Sequence, residues 1–167
     1  MPTGASAGPK PYRPRRQVST LYLRVPTDDW ARVKIGEKTA FRMPNGSQSV
    51  RQQVNRAPLP TPVLAYMLTP MPRYDCQLMV LEGHRLEPLY ALIGDDEALA
   101  REGFPTYDHF RRYWRARWFG VWRETELVHV YEVRPWTDDD FEEMGKLLLE
   151  RLYGAFYGSV KPRQLQG

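Results

Sequence analysis

The sequence predicts a single α+β domain: a small mixed or antiparallel β-barrel with flanking α-helices. Three observations predict it. Apolar segments of strand character recur near 20–25, 63–68, 78–82 and 125–134, and capped helix patterns stand between and after them. The chain of 167 residues can bury one hydrophobic core but is too short for two ordinary domains. Its longest apolar run falls well below the ~18 residues that cross a bilayer, so no membrane partner is expected.

Residues 1–18 are rich in Pro, Gly, Ser and Ala and carry Lys10, Arg13, Arg15 and Arg16 without an acid. Such a segment buries too little apolar surface to order itself, so it is expected to be a flexible basic arm. The domain is then expected over 19–160, with 161–167 a flexible tail. Leu21, Leu23 and Val25 alternate with Tyr22 and Arg24, the period of a half-buried strand. Pro26-Thr27-Asp28-Asp29 opens a helix containing Trp30 and Val33, and Gly36 supplies the left-handed residue that ends it. Lys38 therefore falls at the mouth of the next strand. Residues 43–61 are polar, contain Asn45-Gly46 and two prolines, and lack a period, which predicts a long loop or lid. That loop offers Arg51 and Arg56 to a phosphate.

Two strands with apolar runs are expected within 62–68 and 77–89, joined by a proline-containing turn. Gly94-Asp95-Asp96 caps a short helix over 97–101, which Gly103 ends. Thr106 caps a longer helix that runs to about Trp118. Leu127, His129, Tyr131 and Val133 alternate with Val128, Val130, Glu132 and Arg134 in a last strand. Thr137, followed by Asp138, Asp139 and Asp140, opens a terminal helix over 137–156. Phe141, Met144, Leu148, Leu152 and Tyr153 recur at steps of three and four there, predicting one face packed on the barrel.

The net charge of +4 lies wholly in the first 19 residues, and 20–167 hold 20 basic and 20 acidic side chains. A neutral body lacks the broad phosphate footprint that long duplex DNA requires, but leaves room for a pocket that takes one nucleotide. The single Cys76 excludes an internal disulfide and a cysteine-rich zinc site, and fits a reducing cytoplasm. Arginine supplies 19 of the 24 basic residues, the usage of a GC-rich genome such as that of a bacterium or its phage. His84, His109 and His129 lack ligand spacing, so no metal is expected, and Glu82, His84 and Glu87 share one strand without an evident task. The absence of a nucleophile elbow, P-loop or dinucleotide fingerprint leaves serine hydrolase, NTPase and Rossmann functions, and any cofactor, without support.

Phe110, Trp114, Trp118 and Trp122 recur at steps of four, with Arg111, Arg112, Arg115 and Arg117 between them. At helical spacing this pattern predicts a packed aromatic stripe with wet arginines. The same residue types stack nucleobases and grip phosphates, and Trp114 is a candidate for the stacking ring.

The order of elements, with Gly36, Lys38 and Arg42 between the first helix and second strand and Glu102-Gly103-Phe104 after the short helix, resembles the ASCH family of the PUA-like superfamily over 20–136. Phe41 stands where that family carries Glu or Thr, and Arg42 falls one residue early. The resemblance implies nucleic-acid or nucleotide binding. In an amidohydrolase branch acting on N4-acetylcytidine, a lysine, a threonine and a glutamate do the chemistry. By position these are Lys38, Thr39 as the only neighbouring hydroxyl, and Glu102. The expected ligand-binding set is Gly36, Lys38, Arg42, Arg51, Arg56, Glu102 and Trp114, and the expected partner is RNA or a modified nucleotide. The alternatives are a small hydrolase or ribonuclease using Lys38 and Glu102, and an interaction protein that retains the barrel.

Overall fold

The computed structural model describes residues 21–45, 54–68, 74–118 and 120–157. The expected basic arm, the tail over 161–167 and Arg51 lie outside them. In chain order the elements are β1 (Tyr22–Arg24), α1 (Trp30–Lys34), β2 (Ala40–Pro44), β3 (Thr61–Leu68), β4 (Tyr74–Pro88), a 3-10 turn (Leu89–Leu92), α2 (Asp96–Arg101), α3 (Tyr107–Arg117), β5 (Leu127–Pro135) and α4 (Asp140–Tyr157). The strands form one five-stranded sheet in the order β1-β3-β4-β5-β2, curled into a half-barrel. Only β1 and β3 pair in parallel, so the sheet is mixed, and β1 and β2 are its two edges.

Strand alternation divides the core into two layers. The concave face carries Phe41 and Met43 from β2, Met79 and Leu81 from β4, and Tyr131 and Val133 from β5, closed by Leu23, Trp30 and Val33. The convex face carries Val128, which packs with Leu89, Leu92, Leu99, Phe110 and Trp114 under α2 and α3. Each large apolar side chain so buried contributes about 1.5–3 kcal/mol. β4 is far longer than its apolar run suggests. A register shift between Leu81 and Gly83 lets it bend between the layers, pairing first with β3 and then along the whole of β5.

Two anchors were not evident in the pattern. Val54, inside the polar 43–61 segment, is buried in the concave core, and the neighbouring Asn55 accepts a hydrogen bond from Tyr131 Oη at 3.0 Å. That part of the loop is thus seated in the half-barrel. The start of α4 is clamped by Asp140, which takes both guanidinium nitrogens of Arg134 at 2.6 and 2.8 Å and accepts from the Thr137 backbone N–H at 2.7 Å. The Thr137 hydroxyl also donates to Asp140 Oδ2 at 3.0 Å, so one carboxylate gathers the approach to the helix. Met144 and Leu148 are buried on the helix's inner side, but Phe141 is 56 % exposed, resting edge-on against Trp136. Phe141 therefore leaves the packed face expected for it.

Val54→Ala should lower the unfolding free energy by about 2 kcal/mol, from two lost methyl groups and a residual void. Urea denaturation measures this; an unchanged midpoint would show that the loop is not part of the core.

Candidate functional site: a buried charge chain beneath a seam cleft

Two helix ends converge to make the site. Gly36 ends α1 and Gly103 follows α2, both at φ +78°, a conformation that costs glycine nothing. A side chain at Gly103 would also collide with the Arg32 guanidinium. The reversal after α1 is fixed by Glu37 N and Lys38 N, which donate to Arg32 O at 2.9 and 3.1 Å. Thr39 N then donates to Arg101 O at 3.1 Å, splicing the two helix ends and turning Lys38 and Glu102 inward together.

The result is a chain of alternating charges between the sheet and α3. Tyr113 Oη donates to Asp29 Oδ2 at 2.9 Å, and Asp29 Oδ1 lies 3.1 Å from Lys38 Nζ. Lys38 Nζ is 3.7 Å from Glu102 Oε2, and Arg42 joins Glu102 to Glu87 through its two terminal nitrogens. Toward solvent, Arg85 bridges Glu87 and Glu132, and Glu132 also binds Arg101 at 2.6 Å. Lys38 and Glu102 are each 1 % exposed and Asp29 and Arg42 4 %, so the inner members have no contact with bulk water. The lysine's ion pair with Asp29 is Coulombic, without an aligned N–H, and its ammonium sits 5.0 Å from the Phe104 ring centre and 5.4 Å from that of Tyr113. Burial pushes the Glu102 carboxyl above its usual range, opposed by Arg42 and Lys38. Burial and the Asp29 carboxylate likewise push the Tyr113 hydroxyl up, so it stays protonated and donates.

Tyr113 is also a wall of a cleft of about 450 Å³ lined by Arg24, Pro26, Asp28, Met43, Tyr113, Ala116, Arg117 and Trp118. The cleft contains residues of both edge strands and of α3, so it lies at the open seam of the half-barrel. Arg117 binds Asp28 at 2.8 Å and lies over the Trp118 ring at 5.4 Å. Arg117 Nε and Trp118 Nε1 are buried without a hydrogen-bond partner among the described residues. The cleft thus offers guanidinium charge and two aromatic side chains.

The sequence-predicted residues divide sharply. Lys38, Arg42 and Glu102 come together, yet inside the protein, while Gly36 and Thr39 are half-buried in the turn that leads to β2. Trp114, expected as a stacking ring, is instead 1 % exposed against Phe110, because its place one turn after Phe110 puts it on the sheet-facing side of α3. Trp118 caps the helix with φ −114° and ψ 52°, outside helical geometry, and reaches the cleft. Arg56 is exposed, away from the residues that line the cleft. Arg24, Asp28, Met43 and Tyr113 were missed; only the outward phase of Arg24 on its strand signalled it.

A second polar group lies on the concave side. His84 Nε2 is 3.1 Å from His129 Nδ1, His129 Nε2 is 3.0 Å from Asn45 Oδ1, and His84 stacks on Tyr131. Burial, and then the neighbouring His129, hold His84 below the usual imidazole range.

A curled α+β half-barrel with an arginine- and aromatic-lined seam cleft is the class of protein these features define. No protein-family model and no curated protein matches the chain. Among solved structures, two single-substitution mutants of ZmASCH from Zymomonas mobilis are similar, each 16 % identical. One covers 77 % of this chain and 80 % of its own at a TM-score of 0.40; the other covers 86 % and 84 % at 0.38.

Glu102→Ala leaves buried cations short of a counter-charge and should destabilise the fold by about 3–5 kcal/mol. The charge-balanced pair Lys38→Met with Glu102→Leu should recover most of that loss in chemical denaturation. Equal destabilisation by both variants would contradict a mainly structural ion pair. For His84 the sign follows from its depressed value. As pH falls through about 6.5, the unfolded chain takes up the proton first, so stability declines from there toward the lower folded value. Melting temperature should therefore drop between pH 7.5 and 5.5, and drop less in His84→Gln; identical profiles would remove His84 from the effect.

Proposed function

We propose that this protein binds RNA or a modified nucleotide, with the base in the seam cleft and not against Lys38. The lining of that cleft carries the reading: Arg24 and Arg117 provide charge for a phosphate, Tyr113 and Trp118 provide ring faces for a base, and Asp28 provides an acceptor for an amino or hydroxyl group. The nucleic-acid or nucleotide binding implied by the ASCH resemblance of the sequence agrees with this chemistry.

A hydrolase using Lys38, Thr39 and Glu102 needs those groups to meet a substrate atom. Lys38 and Glu102 are closed off behind Tyr113, with their charges already neutralised by Asp29 and Arg42, so binding takes precedence over catalysis. In the binding reading Lys38 and Glu102 shape the cleft from behind.

A panel of nucleosides, nucleotides and short single-stranded RNAs titrated against the purified protein tests this reading. Trp118→Ala should weaken the best ligand about 5- to 150-fold, the equivalent of about 1–3 kcal/mol for one stacked base. Arg117→Gln should weaken it too, more at low salt than at high. Undiminished affinity in both variants, or no binding across the panel, would refute the seam cleft as the site.

A further inference from the structure

The outward crest of α3 holds positive charge that no carboxylate side chain pairs directly among the described residues. Residues 107–117 contain four arginines and one acid. Along the sheet, Arg42, Arg85, Arg101 and Arg134 are each paired with a carboxylate, and at the cleft Arg117 is paired with Asp28. Arg111, Arg112 and Arg115 have no carboxylate partner among the described residues. They line, with Asp108, a second surface depression of about 340 Å³. Arg111 and Arg115 are four positions apart and Arg112 and Arg115 three, so their charges are neighbours on the helix surface and repel one another. That repulsion works against the helix, and the neighbouring Asp108, the Asp108 carbonyl that accepts from Arg112 Nε and the Trp122 ring under Arg111 offset it only in part. An anion brought from outside completes the balance.

The crest is continuous with the cleft. Ala116, a cleft residue, is one helical turn after Arg112 and adjacent in sequence to Arg115, and its small exposed side chain separates the two without blocking passage. Four helical positions advance about 6 Å along the axis, so the three guanidinium groups form a compact ladder and not a single point charge. At another place in the chain, residues 138–143 carry five acids and no base, giving a polyanion an electrostatic preference for α3.

We propose that the α3 crest is a backbone track for single-stranded nucleic acid: a strand whose base sits in the seam cleft passes over Ala116, and its neighbouring phosphates meet Arg112, Arg115 and Arg111. This rests on the cleft reading and extends it from a nucleotide to a polymer. A single strand is specified because a base free to enter the cleft is not paired in a duplex.

The test compares a mononucleotide with a six-nucleotide single-stranded RNA of the same base, across a salt series, in wild type and in the variant R111Q/R112Q/R115Q. Arg112 and Arg115 are exposed and Arg111 is half-buried over Trp122, outside the fully buried clusters, so the variant should fold, which circular dichroism verifies. The hexamer should bind wild type more tightly than the mononucleotide does, with a log–log salt slope steeper by about 2, from three phosphates at about 0.7 each. The triple variant should lose that extra slope and most of the hexamer's advantage while holding the mononucleotide as before. A hexamer bound by the variant with wild-type affinity and slope overturns the track, as does a wild type that gains nothing from the longer strand. Displacement by polyglutamate as effective as by RNA also overturns it, by assigning the crest to an acidic protein. Loss of mononucleotide binding in Trp118→Ala separates the cleft from the crest: hexamer binding that depends on the three arginines but ignores Trp118 supports the track and rejects the cleft.

Discussion

The buried run of alternating charges from Asp29 through Lys38, Glu102 and Arg42 to Glu87 is the constraint on which the rest of this structure depends. Its members come from the start of α1, the approach to β2, β2 itself, the end of α2 and the end of β4, and Tyr113 ties α3 to it. Five separate stretches of chain therefore meet at one polar seam, and each needs the others to remain neutral. Desolvating such charges costs about as much as their mutual attraction returns, so the chain adds little net stability compared with a well-packed apolar core. What it fixes is geometry. An apolar layer would let α3 slide over the convex face, whereas a string of directional ion pairs admits one register.

That register places the cleft. Tyr113 faces two ways: its hydroxyl belongs to the buried chain, and its ring belongs to the wall facing the seam. Because β1 and β2 are edge strands, the sheet ends in a gap, and Met43, Arg24 and α3 meet there. Lys38, Arg42 and Glu102 thus lie behind the cleft, and the contacts proposed for ligand come from α3 and β1. The raised carboxyl of Glu102 follows from the same burial.

Much of the fold was legible because it is written in local chemistry. The cap at Thr106, whose hydroxyl accepts from the His109 N–H at 3.3 Å, the positive-φ glycines after α1 and α2, and the alternation in β5 are all properties of a few adjacent residues. The site was legible in part. The resemblance to the ASCH family is what groups Lys38, Arg42 and Glu102, but their burial is decided by α3, which a local pattern does not position. Trp114 and Trp118 have the same spacing in the sequence; the end of the helix between them leaves one fully buried and the other half-buried, packed on the core and lining the cleft. His84 and His129 meet through the register of β4 on β5, which follows a shift at Leu81 and Gly83 that no periodicity announces. Val54 is a single apolar residue in a polar stretch, too little signal for an anchor.

Methionine methyl groups provide the most direct measurement of where a ligand sits. Among the residues that line the cleft, Met43 is the sole methionine; Met79, deeper in the same apolar cluster, and Met144 on α4 are not in its lining. With 13C-methyl methionine labelling, addition of a short single-stranded RNA should move the Met43 resonance saturably and leave Met79 and Met144 nearly unchanged. Saturable RNA binding with an unmoved Met43 resonance would contradict the seam cleft as the binding site.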